Sequence, residues 1–348
     1  MYSRIIKPLL FLLPPETIHN LLSRFLKISF AIPGVRAFIH SRYHIKDPAL
    51  ETDFLGMKFS NPVGLAAGFD KNAEVFREFS AFGFAFIEVG TVTPLGQAGN
   101  PKPRSFRLKT DRGLINRMGF NNHGAAQTAR NLEVKRPKGL ILGGNLGKNT
   151  STPNEDAVAD YEAVFKAIYN GVEYFVVNVS CPNITDLHKL QDQDSLEAIL
   201  GRILEIREAM EIKKPVLLKI SPDLNEKQLD ETLEIVKRLG IDGIVATNTT
   251  VSRKGLKTSQ KEVEAIANGG MSGAPITQRS LEVVQYISSK TDGKLPIIAV
   301  GGIMSETDAI NMLDAGATLI QLYTGFIYEG PGLARRINKA ILQRAKRA

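Results

Sequence analysis

The residues best suited to chemistry stand at the end of the stretch 174–183, YFVVNVSCPN. It opens as a β-branched apolar run, the pattern of a strand buried on both faces of a parallel sheet, and stops at a proline with polar and nucleophilic side chains at its carboxyl end. Cys181 is the only cysteine in 348 residues, and carboxamides flank it at Asn178 and Asn183. A lone cysteine is often no more than a small buried hydrophobe. What the fold brings beside it decides between that role and a chemical one.

From residue 61 onward the chain alternates short apolar runs with longer amphipathic segments, the signature of βα units and a parallel sheet. Strands are expected at 62–68, 84–93, 139–146, 174–181, 215–221, 243–248, 296–302 and 319–325, and eight such strands close a (β/α)8 TIM barrel. Thr152, Pro153 and Glu155 suggest a capping box, and Ser305 with Asp308 a weaker one. Gly240, Gly316 and the pair Asp292 and Gly293 mark helix ends before the next strand. A last helix is expected from about 332 to 347. The chain then divides into an arm, 1–46, and a barrel, 47–348.

In such barrels chemistry sits at the carboxyl ends of the strands, so residues distant in sequence read as one set. Strand by strand, that set is Ala67, Gly68, Phe69, Asp70 and Lys71; Gly90 and Thr91; Asn145; Asn178, Cys181 and Asn183; Lys219 and Ser221; Thr247, Asn248 and Thr249; Gly301 and Gly302; Tyr323, Thr324 and Gly325. Glycines and a hydroxyl after strands seven and eight suit a phosphate, because backbone N–H groups can approach the anion. A lysine inside a barrel mouth needs an anionic or electron-rich partner, which a reduced flavin would supply near N1. Asn116, Asn145, Asn178, Asn183 and Asn248 offer donor and acceptor together, which suits a flat ring with alternating N–H and C=O edges, as in pyrimidines.

Composition narrows the class. Apolar residues make up 43% and charged residues 23%, ordinary for a globular chain. One cysteine excludes an intramolecular disulfide framework and a self-contained iron–sulfur cluster. The five histidines show no ligand spacing, so no metal is expected. No Walker loop or strand-borne GxGxxG is present. The net charge of +8 is lopsided: residues 1–46 hold seven basic side chains against the single acid Glu16, leaving only +2 for the barrel. That distribution argues against nucleic acid as a partner. The arm's apolar runs are shorter than the ~20 residues that span a bilayer. Two short amphipathic helices with basic flanks fit either a hairpin capping the barrel or an interfacial anchor on anionic lipid.

Taken together, GLAAGFDK (64–71), EVGTVTP (88–94), INRMGFNN (115–122), NVSCPN (178–183), LKISPDL (218–224), ATNTT (246–250), GGMSG (269–273) and VGGI (300–303) resemble the dihydroorotate dehydrogenases over nearly the whole chain. The arm and INRMGFN are similar to the quinone-linked, membrane-associated class 2. The resemblance implies an FMN enzyme of pyrimidine biosynthesis in which dihydroorotate loses a proton from C5 to a protein base and a hydride from C6 to the flavin, giving orotate. A quinone arriving through the arm would reoxidise the flavin, with the protein peripheral on the cytoplasmic side of the cell membrane. By matching position, FMN contacts fall to Ala67, Gly68, Phe69, Asp70, Lys71, Thr91, Asn145, Asn178, Lys219, Thr247, Gly273, Gly302, Tyr323 and Thr324. Substrate contacts fall to Lys71, Asn116, Arg117, Met118, Gly119, Phe120, Asn178, Asn183, Asn248 and Thr249, and the base to Cys181.

One departure stands out. The quinone-linked class usually carries serine where this chain has Cys181, and cysteine is the habit of the soluble class that uses fumarate or NAD. A thiol with reference pKa ~8.5 is an easier base near neutral pH than a hydroxyl. The alternatives are therefore the soluble-type dehydrogenase and, more distantly, an FMN-dependent tRNA dihydrouridine synthase, which would need an RNA-binding appendage. The polar segment 184–194 is expected to act as a lid.

Overall fold

A computed structural model describes residues 2–180 and 193–346. Its centre is a closed barrel of eight parallel strands in sequential order: β1 (Val63–Leu65), β2 (Phe86–Val92), β3 (Ile141–Leu146), β4 (Tyr174–Asn178), β5 (Val216–Ile220), β6 (Gly243–Ala246), β7 (Ile297–Val300) and β8 (Leu319–Leu322). Each lies inside the stretch expected to hold it. All the strand residues are buried, as they must be where helices cover one face and the barrel interior the other.

Alternation sorts the side chains. Phe175, Val177 and Leu218 join the core between strands and helices, whereas Tyr174, Val176 and Leu217 fill the barrel. The two-residue period then sends Asn178 and Lys219 inward one step further along, at its carboxyl-terminal mouth. The opposite end is plugged by a hairpin, Thr52–Phe54 with Met57–Phe59, turning at Leu55 and Gly56, both at positive φ. Phe54 and Phe59 from this hairpin join the interior cluster, with the Phe59 and Phe86 rings 5.2 Å apart.

Helix ends follow local chemistry. Ser305 accepts from the Asp308 N–H at 3.1 Å, as its sequence suggests. Gly240 ends the Glu226–Leu239 helix in the left-handed region, and the last helix runs Leu333–Ala345. The expected box at Thr152 and Glu155 does not form. Pro153 instead leads a single tight turn, Asn154–Asp156, and the helix begins only at Ala157 with no side-chain cap. A capping box is present elsewhere, between Asn225 and Gln228.

The arm forms helices α1 (Pro15–Ala31) and α2 (Val35–Tyr43) after a short turn at Lys7–Leu10. Between the two, Gly34, at φ 87°, starts the second helix. Among the described residues no helix is long and apolar enough to cross a membrane.

Candidate active site

The barrel mouth holds a cavity whose floor is a network of amides and hydroxyls. Glu88, on β2 and fully buried, accepts from Asn145 Nδ2 at 2.7 Å and from Gln321 Nε2 at 2.6 Å. Asn145 Oδ1 in turn accepts from Thr91 Oγ1 at 2.5 Å and Asn178 Nδ2 at 3.2 Å. Asn178 Oδ1 accepts from Asn248 Nδ2 at 3.2 Å, and Asn248 also donates to Ser180 Oγ at 3.0 Å. A buried network that satisfies its members is stiff, so the orientations of Asn178 and Asn248 are fixed before any ligand arrives.

Above this floor stand the groups that can hold one. Lys219 is only 6% exposed, and its ammonium makes no hydrogen bond or ion pair with the described residues. Thr249 Oγ1 and Gln321 Oε1 are likewise buried with no hydrogen-bond partner among the described residues. Gly301, Gly302 and Gly325 line the far end beside the Thr247 and Thr324 hydroxyls. A Cβ on Gly302, which has φ +74°, would come within 2.3 Å of Thr277 Cα, so no other residue fits there. An unpaired cation, orphaned donors and acceptors, and a glycine-lined end together suit a flat polar ring with an anionic tail.

Lys71 sits at the edge, donating to the Gly68 carbonyl at 2.8 Å. Protein surrounds it while part of the side chain stays open to the cleft, and burial, opposed chiefly by Glu16, lowers its pKa to about 8. Burial pushes the Tyr323 phenol up to about 12 and keeps it neutral.

Of the site residues expected from sequence, Ala67, Gly68, Lys71, Thr91, Asn116, Met118, Gly119, Phe120, Asn178, Lys219, Thr247, Asn248, Thr249, Gly273, Gly302, Tyr323 and Thr324 line this cavity. Four others are placed off its wall. Asn145 lies one layer below, behind Thr91 and Asn178. The Asp70 carboxylate is taken up by the N–H groups of Glu74 and Val75, each at 2.8 Å, and desolvation raises its pKa to about 6. Phe69 faces the arm, between the His19 and Tyr323 rings. Arg117 stacks on Phe106 and donates to the carbonyls of Ile266 and Pro103. Cys181, Asn183 and 184–192 of the expected lid lie outside the described residues.

Sequence reasoning missed Ser272 and Gln321, which also line the cavity. Gln321 could have been found from the alternation in β8, two residues after inward-facing Leu319. Ser272 belongs to a small antiparallel sheet, Ser105–Leu108, Gly113–Asn116 and Gly270–Gly273, that also carries Asn116.

A second cavity of about 680 Å³ lies between the arm and the barrel, lined mostly by apolar side chains including Leu22, Phe25, Phe69 and Phe326, with His19 and Arg107 among its few polar groups. Burial holds His19 neutral, its pKa lowered to about 4. A smaller pocket shares Lys71 and Tyr323 with the mouth cavity, and His19 and Phe69 with the cavity under the arm.

An eight-stranded barrel with an amide floor at its mouth, a lysine without a hydrogen-bond or ion-pair partner among the described residues and an adjoining apolar cavity defines the class: a (β/α)8 enzyme with a polar and an apolar cavity side by side. The family model described as dihydroorotate dehydrogenase matches residues 49–344, and the chain belongs to that family. It is 51% identical over 344 residues to a dihydroorotate dehydrogenase (quinone) of Christiangramia forsetii, covering 99% of both chains. It is 43% identical to one of a Roseiflexus species, covering 99% of this chain and 94% of that one. The crystal structure of DHODH in complex with ferulenol from Eimeria tenella superposes with a TM-score of 0.86 at 34% identity, covering 96% of this chain and 92% of that one.

Proposed function

We propose that this chain oxidises dihydroorotate to orotate in pyrimidine biosynthesis, with FMN as cofactor and a membrane quinone as electron acceptor. The observation that carries this reading is the adjacency of two cavities: the one at the barrel mouth shares Lys71 and Tyr323 with a small pocket, which in turn shares His19 and Phe69 with an apolar chamber under the arm. Fumarate and NAD are polar and need no such chamber; a lipid-soluble acceptor does. Steady-state turnover of dihydroorotate with ubiquinone, menaquinone, fumarate and NAD tests it, and activity with fumarate or NAD alone would refute the quinone assignment.

What FMN supplies when bound is a two-electron acceptor for a hydride and a donor to the quinone. Lys219 and the Thr247, Gly302 and Thr324 end would hold its ring and phosphate. The chain's own work is to orient and deprotonate the substrate. Asn116, Asn178 and Asn248 present amide edges to the pyrimidine, Lys71 meets its carboxylate, and Cys181 takes the proton from C5.

Lys71 can meet a carboxylate only while protonated, and with its pKa lowered to about 8 that condition fails above pH 8. The orotate dissociation constant is therefore expected to be level below pH 8 and to climb by about tenfold per pH unit above it. Titrations in a Cys181→Ser background remove the thiol from the profile, and Lys71→Met should flatten it. A level profile to about pH 9.5 with Lys71 intact would contradict the assignment.

The arm's exposed apolar side chains, with Phe25 63% and Ile28 70% exposed, stand beside Arg24, while Lys27 is paired with Glu74 at 2.7 Å; the apolar face with Arg24 fits an interfacial helix on anionic lipid. Phe25→Asp with Ile28→Asp is expected to lower partitioning onto phosphatidylglycerol vesicles by at least about tenfold while leaving flavin reduction by dihydroorotate intact. Unchanged co-sedimentation would show that the arm does not use this face.

A further inference from the structure

Arg104 is only 6% exposed although it carries a full charge. Its Nε and Nη2 donate to the two carboxylate oxygens of Glu16 at 3.0 and 2.7 Å, and Nη1 donates to the carbonyls of Ala98 and Asn100 at 2.6 and 2.9 Å. Glu16 lies in the first turn of α1, on the arm, and Arg104 ends a barrel loop 88 residues away. The bidentate pair holds the Glu16 carboxyl below its ordinary pKa of 4.5.

That loop grips the wall of the mouth cavity. The Asn100 N–H donates to the Met118 carbonyl at 3.1 Å and its Nδ2 to the Arg117 carbonyl at 2.9 Å. Gln97 Nε2 reaches the Gly119 and Phe120 carbonyls at 3.0 and 3.2 Å, and the Arg117 N–H donates to the Arg104 carbonyl at 2.9 Å. The two loops are in close backbone contact: a Cβ on Gly99 would fall within 2.2 Å of the Met118 carbonyl oxygen. Met118, Gly119 and Phe120 then face the cavity. Hydrogen bonds thus run unbroken from the arm, through one buried guanidinium, to the segment that closes one side of the site.

We infer that Glu16 is a positioning residue for the substrate, so that docking of the arm through Glu16 and Arg104 sets the 116–120 segment and with it the affinity for dihydroorotate. The inference rests on reading this cavity as the dihydroorotate site. Turning the Glu16 carboxylate into an amide leaves the buried guanidinium with one acceptor fewer, and an NH2 donor facing its fork in place of that oxygen. The guanidinium then turns toward water and releases the Ala98 and Asn100 carbonyls, and the grip on residues 117–120 loosens. The arm is in consequence part of the substrate site as well as a route for the acceptor.

Glu16→Gln and Arg104→Lys, each as full-length flavin-loaded protein, test this. In both, the dihydroorotate concentration giving half-maximal flavin reduction in a stopped-flow trace should rise about tenfold, with the limiting rate changed by less than about twofold. Amide hydrogen exchange without substrate should quicken in 97–104 and 116–120 and stay unchanged in β4 and β5. Arg104→Lys keeps the charge near Lys71 but loses the fork, so an effect of charge alone would spare it. Unchanged exchange in 116–120, or a fall in limiting rate with half-saturation unmoved, would overturn the inference. If one variant fails to fold, the other decides by the same readings. Should dihydroorotate not reduce even the native protein, the substrate reading fails, and the exchange result still decides whether the arm sets the segment.

Discussion

Cys181→Ala is expected to slow reduction of the bound flavin by dihydroorotate by a factor on the order of 10²–10⁴, the usual contribution of a positioned base, with flavin content and orotate affinity nearly unchanged. The thiol follows directly on Ser180, whose hydroxyl accepts from Asn248 at 3.0 Å, and Asn248 is locked to Asn178. Cysteine at its reference pKa of ~8.5 is a few per cent thiolate at neutral pH, whereas a serine hydroxyl is not ionised at all. Cys181→Ser should therefore retain the reaction but move the basic limb of its pH–rate profile upward. Stopped-flow reduction across a pH series measures both, and an alanine variant reduced at the native rate would remove Cys181 from the mechanism.

Lys219→Ala is expected to cost on the order of 10² or more in flavin reduction, the scale seen when one preorganised electrostatic partner is removed, and to lower the flavin retained through purification. The fold should not suffer. The ammonium makes no bond with the described residues, so its loss breaks no hydrogen bond or ion pair among them and removes a buried charge that costs stability wherever it stands unpaired. A thermal midpoint equal to or above that of the native apoprotein is the expected companion result. The contrast with Glu88 makes the point: equally buried, it is fully engaged by Asn145 and Gln321 and reads as part of the scaffold. Native-like flavin content and reduction in Lys219→Ala would mean that the cavity does not hold the ring where the lysine stands.

The eight barrel strands were legible because continuous apolar runs such as YFVV and VLL are long enough to show burial on both faces, and the glycines between them mark where helices stop. The plug at Thr52–Phe59 and the small sheet carrying Asn116 and Ser272 were not, since TDF, MKF, SFRL and GMSG are too short and too mixed in polarity to show a period. At the mouth, residue type was enough to pick out Asn178, Lys219 and Asn248. It does not show that the polar groups of Asp70 and Arg117 are taken up by nearby backbone, or that Glu16 meets Arg104, a pair that only the folded chain brings together. Polar residues in a motif can serve the ligand or serve the loop, and only the hydrogen-bond partners separate the two.

The most direct test is an anaerobic optical titration of the purified protein. The visible flavin band should bleach on adding dihydroorotate, with orotate absorbance growing in step, and should return on adding a short-chain quinone but not fumarate or NAD. A purified protein without a flavin band, or one reoxidised as readily by fumarate or NAD as by quinone, would contradict the account.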